Sequence, residues 1–285
     1  MSPGRRRGTR VGGRRNTRTP MPAPALVLAA VAVAFFALPL AGLLWRAPWS
    51  NAWHYLTNDE ALTALRLSIT CSLWATAISV VFGVPLAWLL ARVEFPGRSV
   101  VRALTTLSMV LPPVVGGVAL FFALGRRGIV GQWLYRWFDL TLPFTTTGVV
   151  VAQTFVSMPF LVITVEAALR QLDGRVEDAS RTLGASGWYT FRRVTLPAIR
   201  PALIAGAVLA WARALGEFGA TITFAGNFPG TTRTMPLAVY LSLETNPEEA
   251  IVLALLLIAL SFAVLVGLRD RWFGKVVRPE RAVVA

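Results

Sequence analysis

The sequence predicts an all-α membrane protein with six transmembrane helices, and three observations support this fold class. The chain of 285 residues is 55% hydrophobic and only 15% charged, whereas about a quarter of the residues are charged in soluble domains. Its mean hydropathy is +0.60. Apolar runs of span length recur along the chain, and a helix of that length satisfies its own backbone groups inside a bilayer. The length therefore reflects several membrane spans rather than several soluble domains.

Composition also limits the possible functions. A net charge of +14 would indicate nucleic acid as a partner of a soluble protein, but here the positive residues flank apolar spans, so we expect a lipid bilayer and no nucleic acid. The single cysteine, Cys71, excludes an internal disulfide and a cysteine-rich metal site. The single histidine, His54, argues against a histidine metal site, and no P-loop motif occurs, so we expect neither metal nor nucleotide on this chain.

The chain begins with a basic segment, residues 1–21, which we expect in the cytoplasm. It could anchor the chain to anionic lipid or be a tail without a specific partner. The next segment, 22–60, holds a first transmembrane helix and an outer loop. Its apolar run, 25–45, is about 20 residues long, whereas the apolar region of a signal peptide has about 7–15 residues. At about 1.5 Å per residue it can cross the bilayer core of ~30 Å.

Five further spans form a transmembrane domain at 61–270, followed by a cytoplasmic C-terminal tail at 271–285. We predict them at 65–91, 101–124, 147–169, 202–224 and 250–268. An even number of spans puts both termini on one side. That side and the loop 173–200 carry roughly four times as many positive residues as the other side. The positive-inside rule therefore places both termini and this loop in the cytoplasm.

The loop 177–201 is the longest central segment that is not strongly apolar, and it reads as two short helical pieces. Gly184 can adopt the left-handed conformation that closes the first helix. Ser186 is a suitable N-cap for the second. We expect Pro197 and Pro201 to limit how far this second helix continues.

The second helical piece has an aromatic face. Trp188, Phe191 and Val194 are three positions apart and so share one side of the helix. Arg192 and Arg193 are left on the side facing water. Such a face on a short loop between two spans indicates a surface that a partner protein covers, although an ordinary interfacial loop is the alternative.

This loop resembles the cytoplasmic EAA loop in membrane subunits of type I ABC importers, whose pattern is Glu-Ala-Ala, three residues, Gly, nine residues, Ile-x-Leu-Pro. The spacing fits with Asp178, Ala179 and Ser180 for Glu-Ala-Ala, Gly184 for the glycine, Val194 for the isoleucine, and Leu196 and Pro197 for Leu-Pro. The resemblance implies the type I importer permease fold and a loop that couples to a cytoplasmic ATPase. The implied coupling residues are Asp178, Ala179, Ser180, Gly184, Ala185, Ser186, Trp188, Phe191, Leu196 and Pro197.

The third and fourth spans contain prolines that would break or kink a helix. Leu111-Pro112-Pro113 lies in the third span, and Met158-Pro159 lies in the fourth. Gly116 and Gly117 allow backbones to approach closely. Broken helices in transporters line cavities, so these positions are candidates for a pathway, although a kink that serves helix packing remains an alternative.

The fifth span contains two opposite charges, Arg213 and Glu217, which are four positions apart on one helix face. Each costs about 2.5–3.5 kcal/mol at the centre of a span, so we expect them to pair and face the protein interior. A structural ion pair and a lining of the pathway both remain open. The pathway candidates are Pro112, Pro113, Gly116, Arg213, Gly216, Glu217, Gly219 and Thr221.

Three segments resemble the molybdate permease subfamily: 216–221 (Gly-Glu-Phe-Gly-Ala-Thr), 225–230 (Ala-Gly-Asn-Phe-Pro-Gly) and 234–238 (Thr-Met-Pro-Leu-Ala). The resemblance implies a multi-pass subunit of the bacterial cytoplasmic membrane that works as a homodimer and performs no chemistry. The implied partners are an ABC ATPase dimer, which would hold ATP and Mg²⁺, and an extracytoplasmic molybdate-binding protein. Sulfate and thiosulfate permeases share a Gly-Glu-aromatic-Gly pattern, so these oxyanions and tungstate remain alternatives.

An intramembrane enzyme is a more distant alternative. It would need a nucleophile with a base, a metal site, or paired carboxylates inside the spans. The predicted spans offer Glu217, and Glu166 near one end, but no histidine. The residues therefore favour a transport subunit.

Overall fold

The computed structural model describes residues 23–273, and every regular element in that range is helical. The predicted tail 1–21 and the C-terminal residues after Phe273 lie outside the described part. The chain forms two units, Met1–Arg46 and Ala47–Ala285. The described part of the first unit is helix α1 (Ala23–Arg46). The second unit contains α2 (Ala52–Leu56), α3 (Asp59–Arg92), α4 (Arg98–Val110), α5 (Pro113–Leu124), α6 (Gly131–Phe138), α7 (Thr146–Gln171), α8 (Gly174–Thr182), α9 (Gly187–Thr190), a π-helical turn (Phe191–Thr195), α10 (Leu196–Leu215), α11 (Gly219–Ala225), α12 (Met235–Thr245) and α13 (Pro247–Phe273).

Within residues 23–273, five helical stretches are long and apolar enough to cross a membrane. They are Ala23–Arg46, Asp59–Arg92, Thr146–Gln171, Gly187–Leu215 and Pro247–Val264. They correspond to five of the six predicted spans.

The third predicted span, 101–124, is interrupted between α4 and α5, as its proline pair predicted. Leu111 has an extended backbone, with ψ of 132°, as expected for a residue before proline. Pro112 then precedes α5, and Pro113 occupies its first turn, where a missing N–H costs nothing. With 12 residues, α5 is about 18 Å long, shorter than the ~30 Å bilayer core. The proline pair thus interrupts the helix at the position the sequence indicated.

The first part of this broken span, α4, is fixed to the end of α3 by arginine. The Nε and Nη2 of Arg98 donate to the Leu90 carbonyl at 2.9 and 2.5 Å. Nη2 of Arg102 donates to the same carbonyl at 3.2 Å. Carbonyls at a helix C-terminus lack partners within the helix and favour positive charge. The two arginines therefore hold α4 across the C-terminal end of α3.

The centre of the bundle is the contact between α3 and α7, which small residues on α3 make possible. A Cβ at Gly83 would lie 2.9 Å from Cδ2 of Leu161. Small side chains allow helix backbones to approach closely in a membrane protein. Other buried small residues recur along α3 at Cys71, Ala75, Ser79 and Ala87.

Helix α7 runs without a break from Thr146 to Gln171, so of the two expected outcomes at Met158-Pro159, a break or a kink, the break does not occur. Pro159 is buried among neighbouring helices. Proline is tolerated inside transmembrane helices where the surrounding protein satisfies the freed backbone groups.

The helix of the predicted fifth span, 202–224, begins earlier than predicted and is interrupted before α11, which ends at Ala225. The helix starts at Gly187 and continues through Pro197 and Pro201 to Leu215. The π-helical turn Phe191–Thr195 explains this continuity, because Leu196 N–H bonds the Phe191 carbonyl and Pro197 falls in the first turn that follows. A π-turn shifts the hydrogen-bond ladder locally. The chain then breaks at 216–218 before α11.

Helices α12 and α13 pack against each other and against the N-terminal part of α3. The backbone N–H of Met235 donates to Oγ of Ser68 at 2.6 Å. The hydroxyl of Tyr55 in α2 donates to Glu248 at 3.3 Å. The N-terminal part of α3 therefore lies beside α2 and α12, whereas its C-terminal end lies beside α4 and the end of α7.

Candidate functional site

The loop 173–200 is a helical hairpin with the local geometry that its sequence predicts. Gly184 has φ of +84°, in the left-handed region where a Cβ is strained. Ser186 caps α9, because its Oγ accepts the Tyr189 N–H at 3.2 Å. Asp173 caps α8 in the same way by accepting the Arg175 N–H at 3.0 Å. The predicted turn at Gly184 and cap at Ser186 are confirmed, but the second helical piece is not short, because it continues to Leu215.

The hairpin presents two aromatic rings at its surface. The rings of Trp188 and Phe191 stack with centroids 5.8 Å apart, and Trp188 is 70% exposed. Both rings line a groove of about 340 Å³ whose floor includes Pro85 and Trp88 of α3. Val194, the third predicted member of this face, is half-buried. A single chain therefore leaves an apolar surface open at this loop.

The other predicted coupling residues lie around the hairpin at different depths. Asp178, Ala179 and Pro197 are exposed, as are Gly184 and Ser186. The half-buried ones are Ser180, Ala185, Phe191 and Leu196.

The two arms of the hairpin are joined by polar contacts, and one of these involves a residue outside the predicted set. The Ser180 and Thr190 hydroxyls lie 3.0 Å apart. Five residues further along the second arm, Thr195 donates from Oγ1 to Oε1 of Glu177 at 2.7 Å. Glu177 is 6% exposed and also pairs with Arg92, whose Nε lies 3.2 Å from its Oε2. Sequence reasoning missed Glu177, because its partner Arg92 lies far away in the chain.

A second ionic cluster lies next to the loop, around Glu166 of α7. Its Oε1 accepts Nη2 of Arg102 at 2.7 Å and Nη2 of Arg170 at 2.9 Å. Glu166 is 7% exposed. With Arg102 also bound to the end of α3, this carboxylate joins α3, α4 and α7 on the side of the bundle that carries the loop. Its environment is that of a paired structural charge.

The predicted pair Arg213 and Glu217 forms, with Nη1 and Oε2 2.5 Å apart. Glu217 lies beyond the last residue of α10, and its Oε1 accepts the N–H of Ala220 in α11 at 2.7 Å. The Glu217 side chain is 1% exposed, whereas that of Arg213 is 27% exposed. The carboxylate therefore bridges the break between α10 and α11.

Helices α5 and α11 begin side by side at the two interruptions. A Cβ at Gly219 would lie 2.8 Å from Cβ of Pro113, and one at Gly117 would lie 2.9 Å from the Ala220 carbonyl. A Cβ at Gly116 would lie 3.1 Å from the ring of Phe155 in α7. The breaks thus place two short parallel helices in close contact.

The pathway candidates divide into two groups by burial. Those at the surface of the chain are Pro112, Pro113 and Gly216, with Arg213 half-buried. Those buried against neighbouring helices are Gly116, Glu217, Gly219 and Thr221. The buried group packs against neighbouring helices within one chain, and a role of either group in lining the pathway stays a prediction.

Residues 83–279 match the family described as binding-protein-dependent transport system inner membrane component. The chain is 43% identical over 255 residues to the molybdenum transport system permease protein ModB of Mycobacterium tuberculosis, covering 89% of this chain and 96% of that one. Its identity to ModB of Escherichia coli K12 is 42% over 227 residues, or 80% of this chain and 99% of the relative. The sulfate transport system permease protein CysT of Escherichia coli K12 is 38% identical over 210 residues, 73% of this chain and 76% of CysT.

Solved transporters share the fold. A bacterial ABC transporter involved in the import of the acidic polysaccharide alginate superposes with a TM-score of 0.68 at 18% identity, covering 89% of this chain and 96% of that one. The inward-facing MetNI methionine ABC transporter gives 0.59 at 21% identity, covering 76% and 96%. Together with the apolar helices, these similarities make the chain a multi-pass protein of the cytoplasmic membrane. It belongs to the family of binding-protein-dependent transport system inner membrane components and is related within it to the molybdenum permeases.

Proposed function

We propose that this chain is the membrane-spanning permease subunit of an ABC importer that translocates molybdate, driven by ATP hydrolysis on a separate ATPase. The observation that carries the proposal is the hairpin 173–200, which is ordered by its own caps yet leaves Trp188 exposed. An apolar surface of this kind indicates a site for another protein. The identity to two ModB proteins over most of the chain supports molybdate as the solute.

The assembly follows from the same family. Two copies of the chain would form the pathway around a two-fold axis, and a dimer of ATPase subunits would dock on the two hairpins. ATP and Mg²⁺ would bind to the ATPase, since this sequence has no P-loop. An extracytoplasmic binding protein would deliver the oxyanion. The alginate transporter supports this arrangement, because it was solved with a substrate-bound periplasmic protein.

The proposed orientation has both termini and the hairpin in the cytoplasm. The arginines at the ends of α3, α4 and α7 support it, since they surround the hairpin on one side of the bundle. Positive residues concentrate on the cytoplasmic side of membrane proteins.

The continuous helix from Gly187 to Leu215 suggests how docking would reach the pathway. Closure of the ATPase pair would push the hairpin, and because the hairpin's second arm is the start of this helix, the displacement would pass directly into the fifth span. The break at 216–218 would let α11 respond separately from α10. The charge of Arg213 is largely compensated by Glu217, which suits a pathway that must release its anion.

Co-purification with candidate ATPase subunits tests the docking site. The intact chain is expected to form a stable complex, and a variant with residues 185–193 replaced by a flexible linker is expected to lose it. The linker variant must still insert in the membrane, which fractionation verifies. Binding that persists without this segment would show that the ATPase contacts another surface.

Sulfate is the second candidate solute, because CysT is a relative at 38% identity over 73% of this chain. Uptake of labelled molybdate into vesicles that contain the assembled transporter decides between the two. Excess unlabelled molybdate, tungstate and sulfate serve as competitors. Stronger inhibition by sulfate than by unlabelled molybdate would assign the chain to sulfate transport.

A further inference from the structure

Glu177 lies at the meeting point of three elements. It belongs to α8, the first arm of the hairpin, and its Oε1 accepts the Thr195 hydroxyl of the second arm at 2.7 Å. Its Oε2 lies 3.2 Å from Nε of Arg92, the last residue of α3. One carboxylate thus joins both arms of the hairpin to the second span.

Arg92 extends this connection to α7. Its Nη2 donates to the carbonyl of Leu172 at 3.2 Å, and Leu172 is the residue that follows the last residue of α7. Its Nε contacts Glu177 as an ion pair and is buried without a well-aligned hydrogen bond. The guanidinium is therefore held between a helix end and the hairpin, where its charge has one close carboxylate.

The burial of Glu177 is unusual for its position in the chain. Its neighbours Val176 and Asp178 are exposed, whereas Glu177 is 6% exposed and Thr195 is 1% exposed. A buried charge is tolerated where it is paired and hydrogen-bonded. The acid therefore serves an internal contact, and the adjacent Asp178 has the exposure expected of a solvated acid.

We propose that Glu177 is a positioning residue that makes the hairpin move together with α3 as well as with α10. The proposal rests on the function proposed above, in which an ATPase pushes the hairpin. The second arm already continues into α10, so it needs no further link to the fifth span. The first arm, α8, follows α7 through a turn at Leu172 and Asp173, and Glu177 connects it to the second span.

The length of α3 would let this connection transmit movement across the bundle. With 34 residues, α3 is about 50 Å long and reaches from the hairpin to the opposite end of the bundle. There Glu60, in its first turn, pairs with Arg233 at 3.3 Å. Displacement of the hairpin would then reach the outer loops through α3, as well as the break at 216–218 through α10.

The test compares Glu177→Gln with Asp178→Asn, a matched change at the exposed neighbour. Glutamine keeps the size of the side chain and can still accept from Thr195, but it removes the charge that pairs with Arg92. In the purified chain alone, hydrogen exchange at 174–182 is expected to accelerate about tenfold in Glu177→Gln and to stay unchanged in Asp178→Asn, since exchange reports local opening. Equal exchange in the two variants would overturn the proposal.

The second measurement uses the complex with the ATPase and reads oxyanion transported per ATP hydrolysed. Glu177→Gln is expected to lower this ratio by about tenfold, within the 5–150-fold range of couplings between sites, while the ATPase still co-purifies. A wild-type ratio in this variant would overturn the proposal. Absence of ATP-driven uptake by the wild-type complex would instead remove the proposed function, and hydrogen exchange would still decide whether Glu177 holds the hairpin.

A double variant distinguishes the positioning role of Glu177 from the general cost of leaving the Arg92 charge unpaired. Glu177→Gln leaves Arg92 without its carboxylate partner. For that reason alone, the single variant is expected to give less folded, purified protein. The double variant Arg92→Gln with Glu177→Gln removes both charges. It is expected to recover the yield of folded protein, while the amount of oxyanion transported per ATP hydrolysed stays low. Recovery of both yield and ratio would show that the pair only balances charge, and the proposal would fail.

Discussion

Arg213 and Glu217 form an ion pair, 2.5 Å from Nη1 to Oε2, across the end of α10. The same carboxylate accepts the N–H of Ala220 at the start of α11. Glu217 thus links the two helices at the point where the helical hydrogen bonding is interrupted. The half-buried arginine compensates a carboxylate that is otherwise enclosed.

Removing Arg213 alone should destabilise the chain more than removing both charges. Arg213→Ala leaves the buried Glu217 carboxylate unpaired, a change that costs about 3–5 kcal/mol. In Arg213→Ala with Glu217→Gln the charge is gone, and the glutamine oxygen can still accept from Ala220. Thermal unfolding of the purified variants in detergent measures the difference. A double variant as unstable as the sum of the two single variants would contradict the pairing.

Replacement of Gly184 should disturb the hairpin through its backbone. With φ of +84° and open space around its Cβ position, Gly184→Ala should cost about 1–2 kcal/mol of local strain without a steric clash. We expect lower ATP-driven uptake and normal membrane insertion. Gly174→Ala is the control, because Gly174 also has open space but lacks a positive φ. Equal uptake by the two variants would mean that the turn at Gly184 does not matter for coupling.

The contact between α5 and α11 should not accept a methyl group at Gly219. Its Cβ would meet Cβ of Pro113 at 2.8 Å and the Val114 backbone nitrogen at 3.1 Å. Overpacking of this kind typically costs about 1–3 kcal/mol, so Gly219→Ala should lower the unfolding temperature. At Gly216 the nearest atom is the Ala212 carbonyl oxygen at 3.6 Å, an ordinary contact. Gly216→Ala should therefore be tolerated, and an equal loss of stability at both positions would argue against this close approach.

Thiol labelling should distinguish the two sides of the membrane. Leu183 in the hairpin is 88% exposed and Ile129 is 75% exposed, and the native Cys71 is buried. In intact cells, a membrane-impermeant maleimide is expected to label Ile129→Cys and not Leu183→Cys. In inside-out vesicles the pattern should reverse. Labelling of Leu183→Cys in intact cells would invert the proposed topology.

Local patterns in the sequence were enough to predict several features of the structure. The apolar runs predict helices of span length, because only such helices satisfy their backbone groups in lipid. Gly184 and Ser186 predict the hairpin, since left-handed backbone and capping depend on one or two residues. The spacing of Arg213 and Glu217 predicts their pairing, because a lone charge in a span is expensive.

Other features were decided only when the chain folded, since the residue types at those positions are compatible with more than one local structure or contact. Pro197 alone predicts a helix end, yet the π-turn before it carries the helix onward into the fifth span. Pro159 stays within a helix where neighbouring helices bury it, whereas Pro112 lies in an interruption. Glu177 resembles any solvated loop acid until the fold brings Arg92 to within 3.2 Å of it. The sequence by itself determined which segments are helical and apolar, and the packing of α3 against α7 and the hairpin determined which polar side chains became internal contacts.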